Sequence, residues 1–250
     1  MTTRLRQAAF AAAALGLCLG GAAAFERGAL WQTVRACTLA QQSLGLAFPC
    51  LSVAADSVVI RAPLERSHVI VVPTRQISGI EHPALLQPGA GAYWRAAWEA
   101  RAAAAGAVPG AALQNIGIAA NARAARSQDQ FHIHADCVGE RVRADLAAHA
   151  AAIGPEWRLL PFAIDGRRYY GRSFAPAQLP GVNPLSDLVE ALPALRAKLA
   201  TTGLALIPTG GAGGVLLANV GARVAMEDLL DHSCGGAAHT AGLAAQGAPV

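Results

Sequence analysis

The sequence predicts an α+β fold of antiparallel character, and three observations carry that prediction. Residues 57–61 and 68–72 are β-branched runs joined by a polar turn around Pro63 and Arg66, which is a hairpin signal. Residues 91–104 set Tyr93, Trp94, Ala97, Trp98 and Arg101 at helical spacing. Residues 130–137 alternate polar and apolar side chains with a period of two, as a strand does. Gln130, His132, His134 and Asp136 then share one face of that strand, and Phe131, Ile133, Ala135 and Cys137 the other.

Taken in order, the chain begins with Arg4 and Arg6 ahead of an apolar run over residues 8–25 that ends in Ala22-Ala23-Ala24. That combination satisfies a secretory signal with a small-residue cleavage site. At about 18 residues the run is also nearly long enough to stay in a bilayer. Residues 1–25 are therefore expected to be a signal peptide or an N-terminal anchor, with the remainder exported. Cys18 follows Leu17, where a lipidated cysteine wants a small residue, so lipidation is disfavoured. Cys37, Cys50, Cys137 and Cys234 are left, an even set that favours two disulfides in an exported chain. Three pairings are open; Cys37–Cys50 with Cys137–Cys234 is preferred, and zinc is the rival use, though no C-x-x-C pair supports it.

An amphipathic helix is expected over residues 31–44, stopped by Gly45. The hairpin follows, and Pro73 ends its second strand. The helix over 91–104 ends at Pro109-Gly110. A strand over 113–120 leads through Asn121 and the loop 122–126 into the histidine strand. Gly139 breaks that strand, and a helix over 140–152 ends at Gly154-Pro155. Residues 26–155 thus form a first α+β half. Residues 156–250 read as a looser second version: strands at 157–161 and 168–174, a helix over 185–201 that Pro193 kinks, and a hairpin of 203–208 with 214–219. No repeat is visible in residue identity, and the Ala/Gly-rich tail from Gly235 is expected to fray.

The net charge of +4 is mild and the basic residues are scattered, which speaks against a nucleic-acid groove. The polar face of the histidine strand is the place to look for chemistry, because a core strand does not carry four groups that must each be paired. His132 and His134 can be structural histidines, metal ligands with Asp136 and a further His such as His68 or His232, or a nucleophile with its partner. The preceding Arg126-Ser127-Gln128 favours the last reading, since phosphoryl oxygens need donors in such a turn. The glycines at 210–214 lack the Lys-Ser/Thr ending of a phosphate loop and read as a hairpin turn. Trp94 and Trp98, four residues apart, read as packing residues.

The ordered set of the hairpin, helix, Asn121 and Gln130-Phe-His132-Ile-His134 resembles the histidine-triad (HIT) superfamily of nucleotidyl hydrolases and transferases, with Gln130 where the first histidine stands. Residues 126–137, Arg-Ser-Gln-Asp-Gln-Phe-His-Ile-His-Ala-Asp-Cys, are similar to the motif of one membrane-associated branch, the CDP-diacylglycerol diphosphatases (pyrophosphatases). The resemblance runs from Trp31 to Cys234. It implies a HIT-like antiparallel sheet, and hydrolysis of CDP-diacylglycerol to CMP and phosphatidate through a CMP-histidine intermediate. It places His132 as nucleophile and His134 as its partner; the shifted register, with His134 attacking and Asp136 third, is the alternative. Arg126, Ser127, Gln128, Gln130, Asn121 and His68 become candidates for binding phosphate or nucleotide. No metal and no cofactor are implied. The implied setting is the periplasmic side of a bacterial inner membrane, with the lipid substrate and membrane surface as partners. The second half would then supply the packing that a second subunit supplies in dimeric relatives, making the protein a monomeric pseudo-dimer. A broader nucleotide pyrophosphate hydrolase or transferase and an exported metal-binding protein are the alternatives.

Overall fold

In the computed structural model, which describes residues 27–235 apart from 64, 176–177, 179–181 and 211–212, a helix (α1) runs through residues 27–44. It is followed by β1 (Ser52–Val53), β2 (Ser57–Arg61), β3 (Val69–Pro73), α2 (Gly91–Ala105), β4 (Ile116–Ala120), β5 (Ile133–Cys137) and α3 (Glu140–Ala148). The rest of the chain adds β6 (Arg158–Leu159), β7 (Tyr170–Phe174), α4 (Pro184–Ala191), β8 (Thr202–Pro208) and β9 (Gly214–Val220). The proposed signal or anchor at residues 1–25 and the tail from 236 lie outside the described residues. No helix among the described residues is long and apolar enough to cross a membrane.

All strands join one antiparallel sheet in the order β1-β2-β3-β5-β4-β8-β9-β7-β6. The order β2-β3-β5-β4 recurs from the other edge as β6-β7-β9-β8, with α2 and α4 in matching places between the second and third strands. The sequence's α+β prediction and its second, pseudo-repeated half are both present in this topology. The two runs meet where β4 pairs with β8, with Ala119 opposite Ala205 at the centre of the register.

The differences from the sequence reading are local and have physical causes. The histidine strand starts at Ile133 rather than Gln130, because the Gln130 side chain and the Phe131 amide bond to residues 73–77 instead of a strand neighbour. Residues Leu113–Asn115 and Ala150–Ala152 are 3-10 turns rather than strand and helix. Pro193 ends α4 outright, and residues Pro193–Thr201 continue as a 3-10 helix. The short edge strand β1 has no periodic signal in two residues.

Parity assigns the side chains to faces. Val69, Val71, Ile116, Ile118, Ile133, Ala135, Leu204, Leu206, Leu216 and Ala218 pack in one cluster with α2 and α4. Trp94 is fully buried there, and Trp98 meets Phe174 of the second half edge-on at 5.4 Å. The opposite face holds two separate clusters. Leu30, Val34 and Cys37 of α1 cover Val58, Ile60 and Val72, while Ala119, Ala205, Ile207, Val215 and Leu217 lie under α3 and residues 224–230. His134 and Asp136 sit between those two clusters. At roughly 25 cal/mol per Å² of apolar surface buried, the clusters hold this polar strip in a fixed place.

Candidate active site

The strip is built from β5, the residue before β3, the end of β4 and the segment after β9. His132 is half-buried, and its Nδ1 lies 2.7 Å from the carbonyl oxygen of Gln130. A ring nitrogen facing a carbonyl oxygen must carry the proton, so Nε2 keeps its lone pair. Burial lowers the His132 pKa from its ordinary value, more than the Gln130 carbonyl raises it; His68 and Arg126 lower it further. The imidazole is therefore neutral at neutral pH, with an available Nε2.

His134 is buried, with Nδ1 2.8 Å from His68 Nε2 and 3.2 Å from a Glu227 carboxylate oxygen. Its Nε2 faces the Asn121 amide nitrogen at 3.5 Å. Asn121 is fixed in turn, since its Oδ1 accepts from the Glu227 amide at 3.1 Å. Burial first, then the neighbouring imidazoles, hold the His134 pKa well below its ordinary value. His68 is buried, and its Nδ1 contacts the Glu65 carboxylate. His232 completes the row: its Nδ1 lies 2.7 Å from Asp136 Oδ2, and that carboxylate raises its pKa. Ring centroids along His132, His134, His68 and His232 are 4.8, 5.0 and 4.3 Å apart.

The loop before His132 is held by ion pairs and amides. Arg126 donates to both Glu81 carboxylate oxygens at 2.8 and 2.7 Å, and to Asp129 at 3.2 Å. Asp129 also receives Arg27 of α1 at 2.7 Å, which holds its carboxyl down at about 2. Gly79 admits the Arg126 guanidinium, because a Cβ there would stand 2.0 Å from Nη1. Gln128 accepts from the Leu30 amide at 3.0 Å. Gln130 is fully buried, accepting from the Ile77 amide and donating to the Pro73 and Arg75 carbonyls. The Gln130 carboxamide is thus taken up by backbone groups. Ser127 is exposed on the loop.

Among the residues singled out from sequence, His132, Asn121, Arg126 and Gln130 line one narrow cleft, with His134 and His68 behind it. His132, His134 and Asp136 do not converge as metal ligands, because Asp136 turns to His232 and to the Cys137 amide. Cys37 is bonded to Cys50 and Cys137 to Cys234, and the second bond brings His232 to β5. Glu65, Glu81 and Glu227 escaped the sequence reading. Glu65 stands three residues before His68, a spacing that could have drawn notice; Glu227 reaches His134 only through the fold.

A family model described as CDP-diacylglycerol pyrophosphatase matches residues 25–238. A curated relative from Yersinia pestis, "CDP-diacylglycerol pyrophosphatase", is 34% identical over 172 residues, covering 66% of each chain. The match therefore spans just under two thirds of that relative's length. A solved structure of a DUF4931 family protein from Bacillus cereus aligns with a TM-score of 0.47 at 9% identity, covering 71% of this chain and 88% of that one.

Proposed function

Because the chain belongs to the CDP-diacylglycerol pyrophosphatase family, we propose that it hydrolyses CDP-diacylglycerol to CMP and phosphatidate through a covalent intermediate on His132. The observation that carries this reading is the 2.7 Å contact between His132 Nδ1 and the Gln130 carbonyl. It leaves the lone pair of His132 Nε2 free to attack.

In the first step His132 Nε2 attacks the cytidine-side phosphorus. The bond from that phosphorus to the bridging oxygen breaks, and phosphatidate leaves with the electron pair. A phosphate monoester is a good leaving group and needs little proton donation. As the P–N bond forms, positive charge develops on the imidazole, and the Gln130 carbonyl at Nδ1–H is placed to stabilise it. In the second step water attacks the phosphorus and its proton passes to His134 Nε2. The P–N bond breaks with its electrons returning to His132, and CMP is released. His134 suits the role of base because burial keeps it neutral, while His68 and Glu227 fix its other nitrogen. Asn121 and Ser127 are the nearby side-chain donors for phosphoryl oxygens. Arg126, Gln128 and Gln130 hold the loop that carries His132.

The test is CMP release from detergent-dispersed CDP-diacylglycerol in the presence of EDTA. The wild type should turn over, and His132→Gln should lose at least about a thousandfold in kcat with an unchanged circular dichroism spectrum. Turnover by His132→Gln near the wild-type rate would overturn the assignment of His132; no CMP from the wild type would overturn the substrate.

A further inference from the structure

Of the seven large apolar side chains that are exposed among the described residues, five fall in one short stretch: Leu39 (64% exposed), Leu44 (70%), Leu46 (56%), Phe48 (80%) and Leu51 (44%). The stretch is also free of charge. From Ala36 to Ala55 there is no Asp, Glu, Lys, Arg or His, although the charged residues Arg35 and Asp56 stand at its two ends. Water-facing loops are normally polar, and a contiguous apolar patch marks a surface with a partner.

The loop is built to keep those side chains out. Cys37, buried in the cluster under α1, is bonded to Cys50 and closes the segment at both ends. The Gly45 amide donates to Gln41 O at 3.0 Å, the Cys50 amide to Ala47 O at 2.8 Å, and the Leu51 amide to Val59 O at 2.8 Å. Leu44, Leu46 and Phe48 are thus held at the edge of the sheet beyond β1, where collapse onto the core is closed to them.

We propose that residues 44–51 form a wedge that inserts into the surface of a lipid bilayer. Lipid is favoured over a protein partner by three things. The stretch carries no charge or ring of charges to set the orientation of a protein interface. In the sequence, the apolar run at residues 8–25 directly precedes Glu26 and the first residue of α1. The third rests on the function proposed above: a diacyl substrate stays in the membrane, so its enzyme must meet it there. α1 then has a mechanical role. Its first turn is tied to the catalytic loop through Arg27–Asp129 and Leu30–Gln128, and its last turn carries the wedge about 25 Å away at 1.5 Å per residue. Seating the wedge fixes where the His132 loop stands relative to the lipid surface.

The test uses the full chain with Phe48→Trp, mixed with phosphatidylcholine/phosphatidylglycerol vesicles brominated on the acyl chains. The expected result is quenching of tryptophan fluorescence beyond that of the wild type, with a blue-shifted difference spectrum. Quenching equal to the wild type overturns the wedge, whether or not the protein is active. In a second arm, Leu44→Gln, Leu46→Gln and Phe48→Ser together should slow hydrolysis of vesicle-held CDP-diacylglycerol about tenfold. Hydrolysis of a short-chain analogue kept below its micelle concentration should change less than about twofold. Equal losses on both substrates overturn the proposal in favour of a structural role, and a concentration-dependent dimer abolished by the triple variant overturns it in favour of a second copy. Quenching at Trp-substituted position 48 without CDP-diacylglycerol hydrolysis by any variant would keep the wedge and remove the function proposed above.

Discussion

His132 differs from the three imidazoles beside it in what its Nδ1 meets: a backbone carbonyl rather than a titrating side chain. That partner cannot change protonation state, so it fixes one tautomer wherever the ring is neutral. Burial lowers the His132 pKa below its ordinary value of 6.5, so the first chemical step should stay level as pH falls from 8 through 6.5 and decline only below that. The same sign governs stability. Protonation favours the unfolded chain, so the contribution of neutral His132 is present above 6.5 and is lost as pH falls. A rapid-quench pH profile of intermediate formation checks the first statement; an acid limb centred above 6.5 would contradict it. Gly79 gives a second prediction at this scale. In Gly79→Ala the new Cβ would meet Arg126 at 2.0 Å from Nη1 and 2.5 Å from Cζ, driving the guanidinium off Glu81. The His132 loop would shift, and kcat should fall roughly tenfold to a hundredfold with a lowered Tm. The pair of histidines was legible in sequence because alternation put both on one face. Glu227, which meets His134, and His232, which meets Asp136, were less so, because the contacts depend on chain returning from the far side of the sheet.

Elements position the site through two anchors that sequence reading weighed only in part. One is α1, whose amphipathic pattern was legible but whose contacts with Gln128 and Asp129 were not, since side-chain direction in a loop has no period to read. The other is the Cys137–Cys234 disulfide, which spans 97 residues and sets the segment carrying His232 against β5. Cys234→Ala is expected to cost about 2–5 kcal/mol of stability, read from denaturant unfolding of the oxidised proteins. It should also loosen the His232–Asp136 pair, so the raised pKa of His232 should return toward 6.5 in an NMR titration. Helix and strand positions were legible wherever periodicity was long. The losses came at short pieces, such as β1, and at Pro193, where the missing N–H and fixed φ end a helix that its apolar pattern would have continued.

At the scale of the whole molecule, the topology places a second, differently filled version of the first half beside it. Matching the two runs about the Ala119–Ala205 centre, β9 carries Leu217 and Val215 where the first half carries His134 and His132. Those side chains are buried under Leu160, Ile164 and Tyr169, so that face is filled with apolar packing instead of a cleft. We propose that the halves divide near residue 155 and that the second stands where another subunit would. Because β8 already pairs with the open side of β4, light scattering of the detergent-solubilised protein should give a monomer; a symmetric dimer through the first half would count against it. The repeat itself was legible only as a similar order of elements, because packing constrains topology more than residue identity. The central claim, that His132 carries the transferred nucleotidyl group, is tested most directly by trapping. CDP-diacylglycerol labelled at the cytidine-side phosphate is mixed with the enzyme in EDTA and quenched in alkaline detergent. Acid-labile, base-stable label on the wild type and on His134→Ala, absent from His132→Ala, is the predicted result. Label that survives in His132→Ala and disappears in His134→Ala would contradict the account.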